Sequence, residues 1–145
     1  MAIQKRIQVF PMSDDYLSNG QTIESFFTED LITPSPHRPT SGRFNFKEHG
    51  VTAPEGSLLL FQYKAKLVAH AELLRRCERD EFSPAGSAGF FLLKLDTLRY
   101  YERPINAREL QSLFPNIRFD QRKRQLDPSK REPYLHFANS RSTAA

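Results

Sequence analysis

Two apolar runs joined by only two residues set the strongest constraint on this chain. Ser57-Leu58-Leu59-Leu60-Phe61-Gln62-Tyr63 reads as a buried strand, introduced by the turn Pro54-Glu55-Gly56. Lys64-Ala65 has room for a tight connection and nothing more. Lys66-Leu67-Val68-Ala69-His70-Ala71-Glu72-Leu73-Leu74 is then the return strand. Ala69 and Ala71 keep one of its faces thin, so something large packs or binds there. A polar loop is expected from Arg75 to Pro84. Gly89 to Tyr101 follows as a long third strand, with Lys94 and Asp96 alternating against Leu93 and Leu95.

The flanks add shorter elements. Ile3 to Phe10 predicts a short, highly charged strand that closes at Pro11. Ser13-Asp14-Asp15 suits a helical turn, and a second short helix starting near Thr22 would turn Phe26, Phe27 and Leu31 inward. Pro34, Pro36 and Pro39 make Thr33 to Gly42 a loop. Asn106 is placed to cap a helix over Ala107–Phe114, ended by Pro115. Asn116 to Leu126 reads as a short strand or a basic helix. Pro128 and Pro133 predict irregular chain beyond it, and Ser140 to Ala145 a frayed tail.

With 145 residues, 39% hydrophobic and 26% charged, at a mean hydropathy of −0.58, the chain reads as one globular domain over 1–145. No run of 18 apolar residues offers a spanning helix. The charged opening Met1–Arg6 lacks an apolar core, so no secretory signal is expected and the expected compartment is the cytoplasm. The single cysteine, Cys77, cannot form an internal disulfide. His37, His49, His70 and His136 are too scattered for a metal site, so no cofactor is expected.

The net charge of +4 is unevenly spread. Ser13 to Asp30 holds five acidic residues and no basic one, whereas Arg118 to Arg131 holds six basic residues against Asp120 and Asp127. That second cluster, with Arg122, Lys123 and Arg124 at its centre, would meet phosphates or form a solvated surface.

The stretch from Glu55 to Phe114 resembles the PUA-like superfamily, which includes the EVE and ASCH domains. The likeness is carried by Glu55-Gly56-Ser57-Leu58-Leu59-Leu60-Phe61-Gln62-Tyr63 followed at once by Lys64-Ala65-Lys66-Leu67-Val68-Ala69-His70-Ala71. Gly20–Phe26 holds neither the lysine nor the arginine of the ASCH signature, so no signature residue is carried over. The resemblance implies an α+β fold: a β-rich, PUA-like open pseudobarrel with short flanking helices. It also implies recognition of RNA or of modified bases in DNA.

Several constellations could carry function. Arg43-Phe44-Asn45-Phe46-Lys47 alternates cations and rings. On an exposed rim it would stack a base, with the Asn45 amide reading its edge; as an ordinary strand it would send Phe44 and Phe46 to the core. Lys64 and Lys66 of the hairpin would flank such a cleft. Tyr100-Tyr101 places one ring inward and one outward. His70 and Glu72 share a strand face and are expected as an exposed pair, although a carboxylate beside an imidazole also suits acid–base chemistry. The functional expectation is a nucleic-acid or modified-nucleotide binding module without catalysis. Its expected partners are RNA or DNA and a second copy of the chain, with no membrane. The alternative is a small metal-dependent nuclease or hydrolase using His70, Glu72, Lys94 or Asp96, and a third is a protein-interaction module.

Overall fold

The computed structural model describes residues 5–47, 53–119 and 124–142. Strands β1 (Ile7–Met12), β2 (Arg43–Phe46), β3 (Leu58–Tyr63), β4 (Lys66–Glu78), β5 (Gly89–Ile105) and β6 (Arg124–Leu126) form one open sheet. Their order is β2-β5-β4-β3-β1-β6; β1 and β3 run parallel, and the other neighbours antiparallel. Helix α1 (Ile23–Ser25) runs on as a wider turn over Phe26–Asp30, and α2 spans Arg131–Asn139. The fold is thus the expected open α+β sheet with short helices.

The central hairpin forms where the apolar runs predict it. Lys64 (φ 50) and Ala65 (φ 61) both take the left-handed conformation that a two-residue hairpin turn requires. β4 and β5 are longer than their apolar runs. Arg75–Glu78 continues β4, pairing with Gly89–Leu92, because β5 offers ladder partners that satisfy the backbone whatever the side chains. Gly89 is required there: a Cβ would come within 2.6 Å of the Cys77 carbonyl oxygen and 2.7 Å of the Phe46 ring. Further along, the register jumps from Glu72↔Lys94 to His70↔Arg99. Thr97 closes the bulge, its hydroxyl accepting from the Glu72 N–H (2.8 Å) and donating to the Lys94 carbonyl (2.6 Å).

Three expectations at the flanks are corrected. β1 runs through Pro11, because β6 pairs only with Ile7–Val9 and Pro11 owes that neighbour no N–H. The expected helix over 107–114 is a single 3-10 turn, Arg108–Leu110. Asn106 and Glu109 cap one another there (3.0 and 3.3 Å), and Leu110 and Phe114 are buried as foreseen, but Pro115 leaves too little chain for a helix. Helix α2 stands where irregular chain was expected: Pro133 lies in its first turn, where no intrahelical N–H is needed. After α2 the chain docks through the Glu102 N–H, which donates to the Arg141 carbonyl at 2.8 Å. Residues 143–145 lie outside the described residues.

Both sheet faces are covered. On one, α1 and the turn after it deliver Phe26, Phe27 and Leu31 onto Phe10, Phe44, Phe61 and Phe91. On the other, α2 lays Tyr134 and Ala138, one turn apart, over Ile7, Leu60, Leu67 and Tyr101.

Candidate nucleic-acid interface

Period-two alternation along β2 sorts the Arg43–Lys47 motif. Phe44 and Phe46 are fully buried among the aromatic rings of the first core, so neither presents a face to a base. Arg43 is buried as well. Its guanidinium lies 3.7 Å from the Phe90 ring centroid and meets the Asp80 carboxylate in a two-pronged pair (2.9 and 2.7 Å), with Ser83 at 3.1 Å. That pair holds the Asp80 carboxyl well below its ordinary range, at about 2. Arg43 therefore pins the loop after β4 to the sheet.

Asn45 and Lys47 do reach a cleft of about 270 Å³ at the β2 edge, shared with Asp15, Tyr16, His37 and Arg38. Tyr16 stacks on buried Phe44 (5.4 Å, 27°), and its hydroxyl accepts from the Lys47 N–H at 2.9 Å. The Lys47 ammonium lies 5.7 Å from the Tyr16 centroid. Arg38 donates to the carbonyls of Arg43 (2.8 Å) and Asp30 (3.0 Å), which closes the outer edge of β2 and fixes a cation on the cleft wall. Asn45 donates to the His37 carbonyl (2.9 Å) and accepts from Arg43 Nε (3.0 Å).

Lys64 and Lys66 are exposed at the far end of the hairpin, with the Lys64 ammonium 5.3 Å from the Tyr63 ring. The Tyr63 hydroxyl donates to Asp14, beside the cleft, and this bond pushes the phenol up to about 12. Arg122 and Lys123 lie outside the described residues. Arg124 pairs through its backbone with Val9 in β6.

His70 is not the exposed partner of Glu72. It is 3% exposed, one ring nitrogen is hydrogen-bonded to Tyr101, and the Tyr101 hydroxyl continues to that of Tyr134 at 2.7 Å. Burial, reinforced by the cations of Arg99 and Arg131, pushes its pKa down to about 4. Glu72 turns instead to Arg131 of α2 (3.1 Å). Lys94, the last paired residue before the β5 bulge, and Asp96, within it, are both exposed. Among the described residues, no three His, Cys, Asp or Glu side chains gather as a metal ion would require. Tyr16 was missed in the sequence because it reaches the cleft from a 3-10 turn 29 residues before Asn45, and His37 and Arg38 because they sit in the irregular proline-rich loop, where no periodicity marks a direction. Lys47 was legible, since alternation places it with Asn45.

The architecture is that of solved ASCH structures. The crystal structure of ASCH from Zymomonas mobilis matches with a TM-score of 0.54 at 11% identity, over 94% of this chain and 96% of that one. A tyrosine-to-phenylalanine mutant of that protein matches with a TM-score of 0.58 at 12% identity, over 96% of this chain and all of its own. A serine-to-alanine mutant gives 0.58 at 10%, over 96% of this chain and 98% of its own. No family model matches the sequence, and no curated protein matches it. The chain thus has an ASCH-like fold, as the central hairpin led one to expect. Among the described residues, no helix is long and apolar enough to cross a membrane.

Proposed function

We propose that this protein is a nucleic-acid-binding module that performs no catalysis of its own and receives one base of single-stranded RNA in the cleft at the β2 edge. The observation that carries this reading is the content of that cleft: the ring of Tyr16, held from behind by Phe44, beside the Asn45 amide and the cations of Arg38 and Lys47. A pinned ring stacks any base, an amide reads an edge, and cations neutralise the flanking phosphates. The ASCH-like fold and the PUA-like resemblance support the same reading. The hairpin lysines Lys64 and Lys66, and the basic cluster around Arg122, Lys123 and Arg124, extend the phosphate contacts. Modified bases are the finer form of this proposal. The hydrolytic alternative finds less support, since His70 is enclosed and Glu72 is engaged by Arg131.

Fluorescence anisotropy with short labelled RNAs tests the reading. Binding should weaken steeply between about 50 and 200 mM salt. Lys47→Gln should reduce the salt slope by about 0.7, the share of one single-strand phosphate. Tyr16→Leu should lower affinity roughly 5- to 150-fold at unchanged slope, the worth of one base–aromatic stack. Absence of binding to RNA and DNA alike at about 50 mM salt would overturn the proposal.

A further inference from the structure

The cleft is lined by one carboxylate and two cations, and from this we infer that it is a pocket for an unpaired guanine nucleotide. The inference rests on the nucleic-acid reading above and narrows it to one base.

Asp15 is exposed, and its carboxylate has no hydrogen-bond partner among the described residues, whereas neighbouring Asp14 is taken up by the Tyr63 hydroxyl. The surrounding segment, Ser13 to Asp30, contains no basic residue. An ionised carboxylate only accepts hydrogen bonds, so it repels a phosphate and attracts an edge rich in N–H donors. The same lining also carries the cations of Arg38 and Lys47. A nucleotide with its base edge at Asp15 and its phosphate at Arg38 and Lys47 satisfies the carboxylate and the cations alike; the reverse placement satisfies neither.

Base chemistry then selects. Guanine alone among the four common bases presents two adjacent N–H donors, N1 and the 2-amino group, that match the two oxygens of one carboxylate. Adenine and cytosine set a ring-nitrogen acceptor beside their single amino group, and that acceptor would face the carboxylate. Uracil offers one N–H between two carbonyls. Guanine also carries O6 next to N1. Asn45 can address it, because one amide hydrogen is spent on the His37 carbonyl and a second is left over. In a duplex this edge is occupied by the pairing partner, so the base must be unpaired. The volume, about 270 Å³, falls just below the range for drug-sized ligands (~300–1,000 Å³) and leaves room for a single nucleotide.

The test is a set of oligouridylates that differ at one central position, measured with the full chain. Guanine there should bind roughly 5- to 150-fold tighter than adenine or cytosine, the ratio that a bidentate pair supplies. Inosine, which keeps N1–H and O6 but lacks the 2-amino group, should lose most of that advantage. Asp15→Asn should erase the guanine preference and leave the salt slope unchanged. Equal binding at all four bases, or a preference that survives Asp15→Asn, would overturn the guanine assignment while leaving the nucleic-acid reading intact. Failure of every strand to bind would sink both.

Discussion

Protonating His70 should loosen the whole domain, and the size of the effect follows from its surroundings. Its imidazole is 3% exposed, bonded to Tyr101, and lies near the cations of Arg99 on the neighbouring strand β5 and Arg131 of α2. A proton taken up there would sit in a dry, already positive site. The pKa is accordingly pushed down to about 4, against 6.5 for an unfolded histidine. At about 1.4 kcal/mol for each pH unit, that gap amounts to about 3 kcal/mol. The unfolded chain takes up the proton first, so the contribution is complete above pH 6.5. It is lost as pH falls from 6.5 towards 4, then levels off. The carboxylates held low by hydrogen bonds, Asp80, Glu109 and Asp127, are lost in a more acid window, which separates the two effects. Urea unfolding of the parent and of His70→Asn at a series of pH values reads this directly. The parent should lose about 3 kcal/mol more than the variant between pH 6.5 and 4. Parallel curves for the two proteins, or an NMR titration of His70 with a midpoint near the unfolded value, would refute the reasoning.

The remaining predictions concern the core, the hairpin and the basic cluster. Phe44→Ala and Phe46→Ala should each cost about 3–5 kcal/mol while RNA affinity per folded molecule holds, as should Phe61→Ala; lost affinity at full stability would return either β2 ring to the binding site. Ala65→Gly should stabilise the protein by about 1 kcal/mol in thermal unfolding, since glycine takes the φ of 61 without the Cβ clash, and a lower melting temperature would contradict that turn. Changing Arg122, Lys123 and Arg124 together to Gln should reduce the RNA salt slope by about 2; an unchanged slope would make the cluster ordinary solvated surface.

Much of the fold is legible along the chain because local chemistry decides it. Leu58–Tyr63 and Lys66–Leu74 are apolar enough to be strands in any soluble setting, with only Lys64-Ala65 between them to turn. Thr22 announces α1 by the hydroxyl that caps Ser25, and the alternation in Arg43–Lys47 already divides rings from polar groups. The sequence alone could not decide what those polar groups face. Arg43 and Asn45 look alike as candidates for a ligand, yet Asp80, 37 residues away, claims the first, while the second opens onto a cleft. His70 carries no local mark of burial; Tyr101 and Tyr134 enclose it from 31 residues further on and beyond. Helix α2 depends on the same distant partners, because a nine-residue helix with a proline in its first turn is held by what Tyr134 and Ala138 bury, not by its own propensity. Strand and turn formation are settled within a few residues by sterics and hydropathy. Partnership between side chains is settled by the sheet order, which brings together residues that the chain keeps far apart.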